Sequence, residues 1–208
     1  MTLVPRIGFR IVEPAGWVRL AADTPDTAEV RALAKTIASA SAVALRPQIE
    51  TFVYDQLWAA LTEASAKGGT DLLLPTGLVA GAPVPMSIVV AVVPLGEFGA
   101  ADSQSDALLA YAARHDGARA VEIDGSLAVR SVVDVGAIEG TDDASRAFDT
   151  RRVSYVIAAP TIDRRMMVVT SSMKRELEDK EDKVLEAMEF LFDSMMGTVR
   201  IPAEEAAR

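Results

Sequence analysis

His115, in the stretch AARHDG, is the chain's one histidine and its only candidate for an imidazole base. A nucleophilic triad built on it requires a serine and a carboxylate such as Asp116, with the serine raised on a strained turn. No G-x-S-x-G elbow is present to raise one. The position of His115 at the end of a predicted helix, followed by Asp-Gly, suits a cation that stabilises the carboxyl-terminal end of the helix dipole. Carboxylate pairs are plentiful: Glu122 with Asp124, Asp142 with Asp143, and Asp134 within a predicted strand. Glycosidase chemistry needs two carboxyls held across a cleft with separated pKa values, which spacing alone does not establish, so loop and surface roles are expected. The acidic stretch TDDASRAFDT lacks the D-x-[DN]-x-[DN]-G frame of a calcium loop. Gly77 and Gly81 in TGLVAGAP are followed by no lysine, and G-x-G-x-x-G does not occur, so no phosphate cradle is expected. Two arginine pairs remain, Arg151 with Arg152 and Arg164 with Arg165. In a hairpin turning at 160–163 they fall at opposite ends, so each reads as a rim charge that discourages strand pairing or as a separate anion contact.

Composition narrows the chemistry further. The 208 residues contain no cysteine and no asparagine. Disulfides, thiolate catalysis, cysteine-held zinc and iron–sulfur clusters are therefore out, as is N-glycosylation. One histidine rules out a multi-histidine metal site within the chain. We expect no cofactor. With 21 basic against 30 acidic residues, a net charge of −9 and a pI near 4.7, the chain as a whole repels phosphate backbones, and nucleic acid is not an expected partner. The longest apolar stretch, MSIVVAVVPLG at 86–96, is far short of the ~20 residues of a membrane span. The amino terminus does not read as a signal peptide, so a cytoplasmic location is expected. A chain of this size fits one domain, 1–208, able to bury about 70% of its unfolded surface.

The elements that must carry these residues follow from periodicity. IGFRIV (7–12) alternates as a strand, Pro14 to Gly16 make a turn, and WVRLAA (17–22) reads as the returning strand of an opening hairpin. Thr24 or Asp23 is expected to cap a helix bearing Val30, Leu33 and Ile37, with Pro25 at its first turn. Pro47 starts a second helix on which Ile49, Val53, Leu57 and Leu61 recur every four residues, closed by Lys67, Gly68 and Gly69. Strands follow at 71–75 and 85–93, the latter apolar enough to be central and covered on both faces. A short helix capped by Ser103 or Ser105 ends before Gly117. A meander is then expected from strands at 119–123, 127–138, 151–160 and 164–171. Methionines 166, 167, 173, 188, 195 and 196 fall mostly at core spacing.

The charged run KRELEDKEDK (174–183) precedes VLEAMEFLFDSMM. Glu176 with Lys180 and Asp179 with Lys183 have the i,i+4 spacing of helix ion pairs, so the final helix is expected to begin near 174 and to overhang the sheet with its wet end. Its dry stripe is Val184, Met188, Leu191 and Met195, widened by Leu185, Phe192 and Met196. The fold class is thus α+β, a largely antiparallel sheet covered by helices in an α/β/α sandwich.

Several stretches together resemble the PsbP-like superfamily, in its uncharacterised actinobacterial branch. They are the Pro14-x-Gly16-Trp17 turn, the helix pair, GAPVPMSIVVAVV, the paired strands RRVSYVIAAP and RRMMVVTSSM, and FLFDSMMGTVRI. The resemblance implies a non-enzymatic adaptor or assembly factor, in some relatives associated with a secretion system, and carries no catalytic residues with it. We therefore expect an accessory domain that binds another protein, its interaction surface around Trp17, Trp58, Arg164, Arg165 or the loop 76–84. The alternatives are a hydrolase using His115 or a carboxylate pair, and a carrier of a small apolar ligand between sheet and helices.

Overall fold

A computed structural model describes residues 8–79, 82–135, 150–159, 164–175 and 182–201. In chain order the strands are β1 (Trp17–Ala21), β2 (Gly69–Pro75), β3 (Leu78–Val79), β4 (Ala82–Pro83), β5 (Met86–Pro94), β6 (Arg119–Ile123), β7 (Ser126–Val135), β8 (Thr150–Ile157) and β9 (Arg165–Lys174). The helices are α1 (Thr27–Ser39), α2 (Arg46–Ala66), α3 (Gln104–Ala112) and α4 (Lys183–Gly197). Seven strands form one sheet in the order β1-β2-β5-β9-β8-β7-β6, antiparallel at every step, while β3 and β4 pair only with each other. The expected α+β architecture and the β6-to-β9 meander are both present.

Period-two alternation decides which side chains meet which helix. Along β5, Met86, Ile88, Val90 and Val92 are buried, whereas Ser87, Val89, Ala91 and Val93 are only half-buried. The buried set packs with Val153, Tyr155, Met167, Val169 and Met173 against Leu185, Met188, Phe192, Met195 and Met196 of α4. At roughly 1.5–3 kcal/mol for each large apolar side chain removed from water, this is the dominant seam of the molecule. The opposite face has two smaller clusters. Val30 and Leu33 of α1 and Leu57 and Leu61 of α2 cover Leu20 and Leu72, while Ala107 and Leu108 of α3 cover Val129, Val156 and Met166. Helices thus lie on both faces, and the six methionines named above are core residues. The expectation that β5 is covered on both faces is corrected: one face is sealed, and the other is half open between the two clusters.

Local chemistry explains the boundaries. Asp26, rather than Asp23 or Thr24, caps α1, its Oδ1 accepting from the Ala28 N–H at 2.7 Å. Ser103 caps α3 by accepting from the Asp106 N–H at 3.1 Å, and donates its own hydroxyl to the Asp106 carboxylate at 2.7 Å. After α2 the chain turns back through Gly68, at φ +80°, and Gly69, whose absent side chain lets β2 pass under Ala64: a Cβ there would lie 2.7 Å from the Ala64 carbonyl oxygen. Asp124 and Gly125, at φ 51° and 75°, make the β6–β7 turn with both central residues left-handed.

Three further expectations are corrected. Residues 8–12, the described part of the expected first strand, do not form a hairpin with β1. Trp17–Ala21 pairs with Asp71–Pro75, and Arg10 instead makes an isolated bridge to Arg200 near the carboxyl end. The Pro14 turn survives, since the Trp17 N–H donates to the Pro14 carbonyl at 3.1 Å. The final helix begins at Lys183, not near 174, because β9 runs on to Lys174 opposite Thr150. Residues 176–181, which include Glu176, Asp179 and Lys180, lie outside the described residues, as do the acidic loop with Asp142 and Asp143, the turn at 160–163 and Gly81. Finally, β8 and β9 are interior strands and the sheet edges are β1 and β6, so neither arginine pair guards an edge.

Candidate functional site

The half-open face is built from two cross-strand rows. Sheet register aligns Ser131 of β7, Ser154 of β8, Thr170 of β9 and Val89 of β5 in one row, and Val133, Arg152, Ser172 and Ser87 in the next. The helix clusters cover only the ends of these rows, the α1 and α2 cluster packing on Val89 and Tyr111 closing over Ser131, and the rows floor a groove of about 610 Å³. Its walls are the last turns of α2, through Glu63 and Lys67, and the end of α3, through Tyr111 and His115. Hydroxyls at alternate positions of otherwise valine-rich strands are what an incompletely covered sheet face selects.

Most polar groups around the groove already have partners. Tyr111 OH and Ser131 Oγ lie 2.6 Å apart, and Ser154 Oγ and Thr170 Oγ1 lie 2.9 Å apart. The His115 ring stacks on Tyr111 with centroids 4.1 Å apart, and its Nδ1 lies 2.9 Å from the Tyr111 carbonyl oxygen, which makes Nδ1 the protonated nitrogen. Lys67 donates to Glu63 at 2.6 Å, a bond that holds the Glu63 carboxyl below its ordinary pKa. Ser87 and Ser172 make no side-chain hydrogen bond among the described residues, and neither does Arg152. The arginine is exposed at the groove floor and makes no ion pair among the described residues either.

Its neighbour Arg151 points to the other face, where it joins the polar seat of α4. There Arg151 Nε donates to Asp134 at 2.8 Å, and its Nη1 lies 3.4 Å from Glu189. Arg130, buried opposite Tyr155 in the sheet register, donates to Asp193 at 2.9 and 3.0 Å and also to Glu189. Burial of Arg130 is outweighed by these bonds, so its guanidinium is held above its ordinary pKa. Tyr155 donates to Asp193 at 2.7 Å, and burial, reinforced by that bond, pushes its phenol well above the ordinary value. The hydrogen bond from Arg151 prevails over burial at Asp134 and holds that carboxyl below its ordinary value. These groups fix a helix to a sheet.

The four residues expected at an interaction surface are not brought together. Trp17 begins the edge strand β1 opposite Pro75 and packs half-buried on the α4 side, its buried indole N–H lacking an acceptor among the described residues. Trp58 lies in α2 on the opposite side, stacked on Tyr54 at 6.0 Å. Arg164 is exposed at φ 53°, and Arg165 follows it at the start of β9, opposite Pro94. Of the carboxylates, Asp124 accepts from the Ile201 N–H at 2.7 Å and Asp134 is taken by Arg151, so both have structural partners. Among the described residues no three histidine, aspartate or glutamate side chains converge on a metal position, and no helix is long and apolar enough to cross a membrane. Sequence reasoning missed Arg152 as distinct from Arg151 and missed the hydroxyl rows. The available signal was the strand parity of Ser131, Ser154, Thr170 and Ser172.

No family model and no curated protein matches the chain. Among solved structures it is similar to the Saccharomyces cerevisiae Ran-binding protein Mog1p, with a TM-score of 0.40, 13% identity, and coverage of 63% of this chain and 78% of that one. A mutant of the protein Mog1 is similar with a TM-score of 0.36 and 12% identity over the same shares. Likenesses this distant transfer no role.

Proposed function

We propose that this chain is a non-catalytic accessory domain that binds another protein through the groove between α2 and α3. One observation carries the reading: the face opposite α4 is left uncovered at the centre of the sheet, over β5, β9 and β8, where a layered fold ordinarily closes. The groups that a hydrolase would use are engaged otherwise. His115 Nδ1 faces a carbonyl, Ser131 and Ser154 are bonded to Tyr111 and Thr170, and no serine–histidine bond joins them among the described residues. A small apolar cargo would leave Arg152, Ser87 and Ser172 at the floor without partners. The resemblance to PsbP-like adaptors points the same way and extends the proposal to a cytoplasmic partner associated with a secretion system.

The test is site-specific photo-crosslinking in the native source, with a photoreactive residue at Val133 in the groove or at Phe190, exposed on α4. One dominant protein captured from Val133 and not from Phe190 is expected. Capture of nothing from either position would remove the protein-binding reading.

A further inference from the structure

Arg152 poses a question that the proposed binding role leaves open. In a chain with 30 acidic and 21 basic residues, carboxylates are in surplus, and arginines on the α4 face, Arg130, Arg151 and Arg175, all have carboxylate partners. Arg152 stands in the groove with none among the described residues, although its immediate neighbour has three. A guanidinium offers a planar fork of donors suited to a carboxylate, and it is flanked in its own row by the hydroxyls of Ser172 and, one strand further, Ser87.

The shape of the floor restricts the occupant. The uncovered strands β5, β9 and β8 span about 10 Å at ~4.8 Å per strand, the width of a single peptide chain. A helix satisfies its own backbone and requires an apolar stripe beneath it, whereas this floor presents the half-buried hydroxyls of Ser87, Thr170 and Ser172 beside Arg152, with Ser131 and Ser154 buried beneath. An extended segment is the reverse case. Its backbone N–H and C=O groups are unpaired and need hydroxyl partners, while Val89, Ala91 and Val168 receive its smaller apolar side chains.

Resting on the protein-binding reading, we infer that the groove takes an extended, acidic segment of the partner, with one of its carboxylates on Arg152 and its backbone on the surrounding hydroxyls. The complementarity is local: a segment that would be repelled by the chain's net charge is held at the one unpaired cation of the floor, and the interaction weakens as salt is raised.

The test uses the full, isotopically labelled chain and two capped hexapeptides, Ser-Glu-Ala-Glu-Ala-Ser and its glutamine counterpart, followed by amide NMR. The glutamate peptide is expected to shift the amides of Ser87, Arg152, Ser154, Thr170 and Ser172 and to bind about tenfold more tightly than the glutamine peptide, the equivalent of one charge-assisted contact. Arg152→Gln should erase that difference and Arg152→Lys should restore part of it. Equal binding of the two peptides, binding elsewhere or not at all, or indifference to Arg152→Gln would overturn the inference. Glutarate competing as well as the peptide would overturn it in favour of a small-molecule site. A partner captured from Val133 as well in Arg152→Gln as in the wild type would sink the acidic-segment inference alone, whereas absence of any captured partner removes the binding reading itself.

Discussion

Tyr155 shows how one side chain reports on a whole interface. Its ring packs edge-on against Phe192 of α4 with centroids 5.6 Å apart, and its hydroxyl is held by Asp193 one residue on. Because burial raises its folded pKa above the ordinary ~10, the stability it contributes is complete below about pH 10 and is lost as pH rises through the folded value. The expected outcome is that the absorbance at 295 nm of the folded chain lacks the Tyr155 phenolate until alkaline unfolding releases it. Tyr155→Phe should leave the folded titration unchanged and lower only the unfolded amplitude, and a reduced folded amplitude would contradict the assignment. Arg130 makes the companion case. Its side chain is 6% exposed, and removing it leaves Asp193 with Tyr155 and Glu189 with the longer contact to Arg151, the two acids being 30% and 23% exposed. For Arg130→Ala we expect a loss of about 3 kcal/mol, near the lower end for breaking a buried pair because both acids retain some water. Urea denaturation measures it, and a loss under 1 kcal/mol would show that the network contributes little.

At the scale of elements, what could be read from sequence is what depends on neighbours in the chain. The helix α2, its Lys67–Gly69 stop, the Asp124-Gly125 turn and the meander were all legible, since caps, glycines and alternation act over a few residues. The opening hairpin failed because Trp17–Ala21 found a longer-range partner in β2, fifty residues away, whose Leu72 and Leu74 complete the face under α1 and α2. The final helix was drawn too long because its charged approach has good helical spacing, while Lys174 is held by the ladder to Thr150. The groove was illegible for a related reason: a serine at strand parity states which face it is on, but not whether a helix covers that face. Gly69 joins the local and long-range levels, because it lets α2 and β2 lie in contact behind one groove wall. Gly69→Ala places a methyl against the Ala64 backbone and should destabilise by roughly 1–3 kcal/mol, the range for overpacking. Thermal unfolding checks this, and an unchanged midpoint would mean that α2 shifts freely over the sheet.

Across the whole molecule, the two faces of one sheet are finished by different chemistry, and the adjacent residues Arg151 and Arg152 sample one face each. On the α4 side, a large apolar cluster and a connected set of ion pairs fix the helix. On the other side, two separated clusters hold their helices apart, and Arg152, Ser87 and Ser172 between them make no side-chain hydrogen bond among the described residues. A residue kept for stability and one kept for binding should therefore respond oppositely to the same substitution. Arg151→Gln leaves Asp134 and Glu189 short of a partner and should lower stability by about 1–2 kcal/mol, moderated because Asp134 is half exposed. Arg152→Gln removes no hydrogen bond or ion pair made among the described residues and should change stability by less than about 0.5 kcal/mol, the usual range for a surface position. Paired urea titrations of the two variants decide it. If both were equally destabilised, Arg152 would belong to the scaffold, and the groove would be a gap in packing instead of a surface held open for a partner.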